Sequence, residues 1–343
     1  MIRRQLLIIV TVLLNATASS VHPPDLKELT SAADSVAIVD IGSVVSVGQS
    51  QAQIQGITVP VDRFIATARV MRVLKGADTP ATIQVRFILP NSNAPVVKYR
   101  AVTEGTSRLV FLKQSGGNYD FADPYYPSVP ASTTDRSTSE PEPLGNVIMA
   151  VAAVVQSSGT SAQEKIEAII ALRTARSPSI IPAFRRSLGL PDAAANTELR
   201  GYLLAELVSH GDASVLSVIK GILMNPHPGF PDHIVHNLSY ALSKVQDADA
   251  GPELATFLSA PKVETRRYAA EGLRNLGAQG IPALVQAVDN TDESVRYSAV
   301  IGLADATGQG DWRPSLDEFR SNQEKYLAYW RTWARNAHGA RQQ

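Results

Sequence analysis

Cysteine is absent from all 343 residues. No disulfide can staple the fold, and thiol catalysis, Cys-based zinc sites and a lipid-bearing cysteine are excluded. A chain of this length can nevertheless bury two full cores, so packing alone can hold it together. Neither charge is in excess, with Lys+Arg and Asp+Glu at 32 each. The basic surplus of a nucleic-acid binder is missing, and no nucleic-acid partner is expected. Long apolar runs are lacking too. The run Leu6 to Leu14 is less than half of the roughly 20 residues that a bilayer-spanning helix needs, and no other stretch is apolar enough. Gly-x-Ser-x-Gly, His-Glu-x-x-His and a Gly-x-x-x-x-Gly-Lys-Ser/Thr loop do not occur. Gly308-Gln309-Gly310 has no strand before it, as a dinucleotide site requires. The expectation is a protein that is not an enzyme and carries no cofactor.

The N-terminus has a pattern of its own. Arg3-Arg4, the apolar run and Ala16-Thr17-Ala18 read as an export signal over residues 1–18, which implies a periplasmic or secreted bacterial protein. Residues 27–126 carry strand patterns. Val36 to Val47 is a β-branched run, Phe64, Ala66, Ala68 and Val70 share one face, and Ile83, Val85, Phe87 and Leu89 alternate with Thr82, Gln84, Arg86 and Ile88. Leu109 to Leu112 and Tyr119 to Phe121 add shorter runs, with turns at Gly76, Pro80, Gly105 and Gly116-Gly117. A small antiparallel barrel or sandwich follows. Residues 127–143 hold four prolines and many Ser and Thr without apolar periodicity, the composition of a linker.

From residue 144 to 336 the pattern is helical and repeats. Leu172, Leu207, Leu242, Leu273 and Leu303 each close a similar helical stretch, at intervals of 35, 35, 31 and 30 residues. Breaks at Ser177-Pro178, Pro191-Asp192, Asn225-Pro226, Ala260-Pro261 and 290–292 divide the stretch into helix pairs. Each pair is too short to bury its own stripe, so neighbours must stack into an α-α superhelix with one continuous core.

The units 263–292 and 293–311 carry Arg-x-x-Ala-x-x-Gly-Leu, followed in the first by Gly and Ile-Pro-Ala-Leu. This pattern resembles the short bacterial HEAT repeat and implies a HEAT-like solenoid. In the earlier units the glycine before the leucine gives way to Ala171, Glu206 or Ala241. The stretches 66–76 and 108–113 are more loosely similar to the OB-like barrels of netrin and tissue-inhibitor modules, without the cysteines common there.

Three groups of residues are candidate sites. Arg200, Arg266 and Arg296 sit at one repeat position and read either as a cationic stripe or as rungs pairing neighbouring units. His227, Asp232, His233 and His236 fall within ten residues and could ligate a metal. Prolines at 226, 228 and 231 and the lack of a fourth ligand favour a loop with Asp232 at a helix start. Trp330 and Trp333, with Trp312 nearby, lie on a helix expected over 316–335 and read as a platform or as the cap of the last repeat. The function expected is non-catalytic binding of a protein or peptide on the concave repeat surface. The alternatives are envelope polysaccharide bound by the β domain or the terminal aromatics, and a lyase-type HEAT-like enzyme or chaperone.

Overall fold

A computed structural model describes residues 25–340, without 92, 94–95, 97–98, 133–141 and 226–228, and with backbone alone at 338–340. The expected export signal at 1–18 lies outside the described residues. A short helix, α1 (Leu26–Ala32), comes first, capped by the Asp25 carboxylate. Six strands follow: β1 (Ser35–Ile54), β2 (Ile57–Lys75), β3 (Thr82–Pro90), β4 (Ser107–Ser115), β5 (Asn118–Phe121) and β6 (Ser128–Pro130). Their order is β1-β2-β3-β5-β4-β6, and a second pairing of β1 with β4 closes the first five into a barrel. All pairings are antiparallel except β3 with β5. Ala37, Val39, Ile41, Ala68, Ile83, Val85, Val110, Leu112 and Tyr119 fill the barrel.

The first two strands run far past the ends expected from composition. Polar glutamines hide the continuation, but they pair across the ladder: Gln49 donates to Asp62 at 2.8 Å and Gln53 to Thr58 at 2.9 Å. The hairpin closes through Gln55-Gly56, whose φ values of 52° and 77° are those of a two-residue turn matched to strand twist. Register shifts at four places in β1 bend the pair so that its base can join a small barrel.

The helical part consists of α2 (Pro143–Gln156), α3 (Ala162–Leu172), α4 (Ile180–Leu188), α5 (Pro191–Ala195), α6 (Thr197–Ser209), α7 (Leu216–Leu223), α8 (Asp232–Leu242), α9 (Gly251–Thr256), α10 (Val263–Asn275), α11 (Ile281–Ala287), α12 (Glu293–Thr307), α13 (Leu316–Ser321) and α14 (Gln323–Ala340). The single helix expected over 316–335 is two helices. Ser315 and Glu318 form a capping box for α13, and the chain breaks at Asn322 (φ −139°). The inner helices stack in sequence, α3 on α6, α6 on α8, α8 on α10, α10 on α12 and α12 on α14. All five marker leucines are fully buried in that stack. At Gly272 helix meets backbone closely: a Cβ there would meet the Leu242 carbonyl oxygen of α8 at 2.3 Å, which is why glycine precedes this leucine.

Both ends of the stack are closed. At the C-terminal end Trp330 is fully buried and Trp312 stacks on Tyr329 with ring centroids 3.6 Å apart. At the N-terminal end one apolar cluster joins Leu26 and Leu29 of α1 and Phe111 and Val129 of the strands to Val147, Ile148 and Val151 of α2. Lys75 of β2 fastens α1 there, donating to the carbonyls of Thr30 at 2.8 Å and Ala33 at 2.6 Å. Arg108 of β4 also reaches Glu167 of α3 at 3.1 Å. The β domain thus packs directly on the first repeat. The segment read as linker over 127–143 is ordered at both ends, with Ser128–Pro130 buried as β6 and Pro143 inside α2. Residues 133–141 lie outside the described residues.

Candidate functional site: the inner helix face and its two depressions

The repeated cations act first as rungs. Arg266 of α10 grips Asp292, its Nη2 and Nε donating to one carboxylate oxygen at 2.7 and 3.2 Å, while its Nη1 donates to the carbonyls of Ala260 and Pro261. Arg296 donates to the carbonyls of Asn290 and Thr291 and reaches Gln323 at 3.2 Å. Lys165 holds the same place in α3; it is fully buried and donates to Asp192 at 2.5 Å. Each rung joins one unit to the next. Arg200 is half-buried and makes no side-chain hydrogen bond or ion pair among the described residues. Burial pushes the Asp292 carboxyl up, but hydrogen bonds from Ser294 and Arg266 outweigh it and hold the group below the ordinary carboxylate range.

The histidines diverge. His233 faces Glu198 of α6 at 3.1 Å, His236 faces Glu264 of α10 at 2.8 Å, and Asp232 accepts from Lys262 at 2.8 Å. Three separate partners, on α6, on α10 and just before α10, are not a converging ligand set. His227 lies outside the described residues. Trp330 is buried, with no surface to offer, and Trp333 is partly buried against it with rings 5.6 Å apart.

What the sequence reading missed lies on the solvent face of the inner helices. Ile170, Ala205 and Tyr240 share one repeat position, two residues before the marker leucines, and Glu167, Tyr202 and Asn237 share another. Of these, Ala205, Asn237 and Tyr240 border a depression of about 190 Å³ between α3, α6 and α8, which Arg173, Arg176, Glu206 and Lys244 also line. Glu206 is buried and occupies the position held elsewhere by Gly or Ala. Its Oε1 accepts from Arg173 at 2.6 Å, and its Oε2 has no partner among the described residues. Lys244 lies 4.7 Å over the Tyr240 ring, Tyr240 meets Tyr268 edge-on at 5.4 Å, and Arg267 lies 4.8 Å over Tyr268. This is a strip of aromatic rings under cations. The departure of Glu206 from the small-residue pattern was the one signal in the sequence that pointed here.

A second depression, of about 510 Å³, opens where the same face of α3 meets the barrel. Gln163, Glu167 and Ile170 form one wall, and Arg100, Thr103, Arg108 and Tyr126 are among the residues of the other. A third cavity of about 610 Å³ lies on the barrel alone, lined by Phe64, Ile65, Arg86, Phe87, Ile88, Tyr99, Phe121 and neighbours. Phe64 and Phe87 stack there at 5.2 Å.

Residues 265–290, from α10 into α11, match the family described as PBS lyase HEAT-like repeat. No curated protein matches the chain. The chain is therefore an N-terminal six-stranded β domain followed by a helical region that contains a HEAT-like repeat. HEAT-like repeats commonly mediate protein interactions, and among the described residues no helix is long and apolar enough to cross a membrane.

Proposed function

We propose that this is an exported, non-catalytic binding protein that holds a protein or peptide partner on the solvent face of α3, α6, α8 and α10. The observation that carries this reading is the Tyr240–Tyr268 strip with its overlying cations. Tyr240 is 44% exposed on α8. Tyrosine and arginine dominate partner anchoring: the rings bury much area for little lost side-chain freedom, and the guanidinium adds a planar fork of donors. The sequence pattern of Arg3-Arg4, the apolar run Leu6 to Leu14 and Ala16-Thr17-Ala18 supports a role outside the cytoplasm. The strand order, with its single parallel β3–β5 pairing, supports an OB-like reading of the barrel. A second reading, in which the β domain binds an envelope polysaccharide, is favoured by the aromatic-lined barrel cavity. The lyase-type alternative is not favoured, because the match is confined to residues 265–290.

The test uses the whole chain with a photo-crosslinking residue at Tyr240, or at Val218 on α7, which is also exposed. The expected result is one discrete protein adduct in a cell-envelope extract from position 240 and none from 218. Equal labelling from both positions, or none from 240, would overturn the reading.

A further inference from the structure

The two depressions are successive parts of one surface. Ile170 lies in the one beside the barrel and Ala205 and Tyr240 in the next, all at the same repeat position. Stacked helices sit about 8–10 Å apart, so the path from α3 to α8 is roughly 20 Å, or about six residues of extended chain.

Charge on this surface is unbalanced, although the chain as a whole is neutral. Five cationic side chains, Arg100, Arg108, Arg173, Arg176 and Lys244, line the two depressions against two carboxylates, Glu167 and Glu206. Each carboxylate already has one arginine: Arg108 holds Glu167 at 3.1 Å and Arg173 holds Oε1 of Glu206 at 2.6 Å. Arg100, Arg176 and Lys244 have no carboxylate partner among the described residues. Arg100 lies over the Tyr126 ring at 4.8 Å, Lys244 lies over Tyr240 at 4.7 Å, and Arg176 only touches the Ser209 carbonyl at 3.4 Å. All three are exposed. The ends of α3 and α8 explain why cations stand near there, since helix C-termini attract positive charge. They do not explain Arg100, which belongs to the barrel side.

We infer that the barrel and the first three repeats together form one track for an extended acidic segment of a partner protein. Its carboxylates would meet Arg100 at one end and Arg176 and Lys244 at the other, with its backbone crossing Ile170 and Ala205. This inference rests on the protein-binding reading above and names the partner's chemistry. It also gives the direct packing of barrel on repeat a purpose, because neither part alone carries both ends of the track.

The probe is a fluorescein-labelled twelve-residue poly-glutamate peptide, read by anisotropy on the full chain at low salt. Binding is expected to weaken as salt rises. The double substitution Arg176→Glu, Lys244→Glu is expected to weaken it roughly tenfold, and Arg100→Glu severalfold, since each reversal removes one exposed attraction and adds a repulsion. Because these side chains are exposed, folding is undisturbed, and far-UV circular dichroism checks that. Equal affinity for a single-stranded DNA oligomer would overturn the assignment in favour of any polyanion. Panning a random peptide library on the chain separates the two claims. Acidic winners lost with Arg176→Glu support the track. Winners without acidic bias, lost with Tyr240→Ala, overturn the track and leave the binding face standing. No winners and no poly-glutamate binding overturn both.

Discussion

Replacing Asp292 by alanine tests the stacking of repeats at one atom group. The carboxylate does two things at once. It caps α12, accepting from the Ser294 amide at 2.9 Å, and it receives two donors from Arg266 of the preceding unit. Losing the cap costs about 1 kcal/mol. Losing the charged hydrogen bonds costs roughly 1–3 kcal/mol more, because Arg266 is only 20% exposed and keeps just two carbonyl partners. The expected total is about 2–4 kcal/mol, a shift of roughly 1 M or more in the urea midpoint. Tryptophan emission is the natural probe, since Trp312, Trp330 and Trp333 all lie in the C-terminal cap beyond α12. The pH dependence has a definite sign. The folded carboxyl titrates below its unfolded value of about 3.9, so its contribution is complete above that pH and is lost as pH falls through the lower folded value. The gap between wild type and variant should therefore close in acid. A loss below about 0.5 kcal/mol at neutral pH would refute the idea that these arginines join one unit to the next.

Two further expectations concern packing. Gly272→Ala should destabilise by about 1–3 kcal/mol, because the added carbon meets the α8 backbone and not a side chain that can move. Gly221→Ala in α7 has nothing within 4 Å and should instead stabilise by about 0.5–1 kcal/mol; chemical denaturation of both variants gives the comparison. Phe111→Ala, in the β domain but inside the cluster shared with α2, should cost about 3–5 kcal/mol. The loss should appear in the distant tryptophan signal as well as in the strand signal of circular dichroism. An unchanged tryptophan transition would mean that barrel and repeats unfold separately.

Much of the fold was legible because periodicity survives without contacts. The leucine spacing located the inner helices, and the alternation in 82–89 located most of β3. The long hairpin was not legible, since its middle is held by polar cross-strand pairs such as Gln49–Asp62 that leave no apolar pattern. The linker composition at 127–143 likewise hid β6, whose three residues are fixed by pairing with β4 and not by their own propensity. Of the candidate residues, the equivalence of Arg266 and Arg296 was visible, but their partners Asp292 and Gln323 were decided by how the units stack.

By itself the sequence determined that residues 160 to 335 build a stack of helix pairs around buried leucines, that no cysteine chemistry takes part, and that neither charge dominates. These follow from local periodicity and composition, which act over a few residues. Only the tertiary structure decided that the barrel seats on the first repeat, and that Arg100, Arg176 and Lys244 share a surface while Trp330 has none. Such facts depend on which distant segments meet, and burial, charge balance and reach are properties of those meetings.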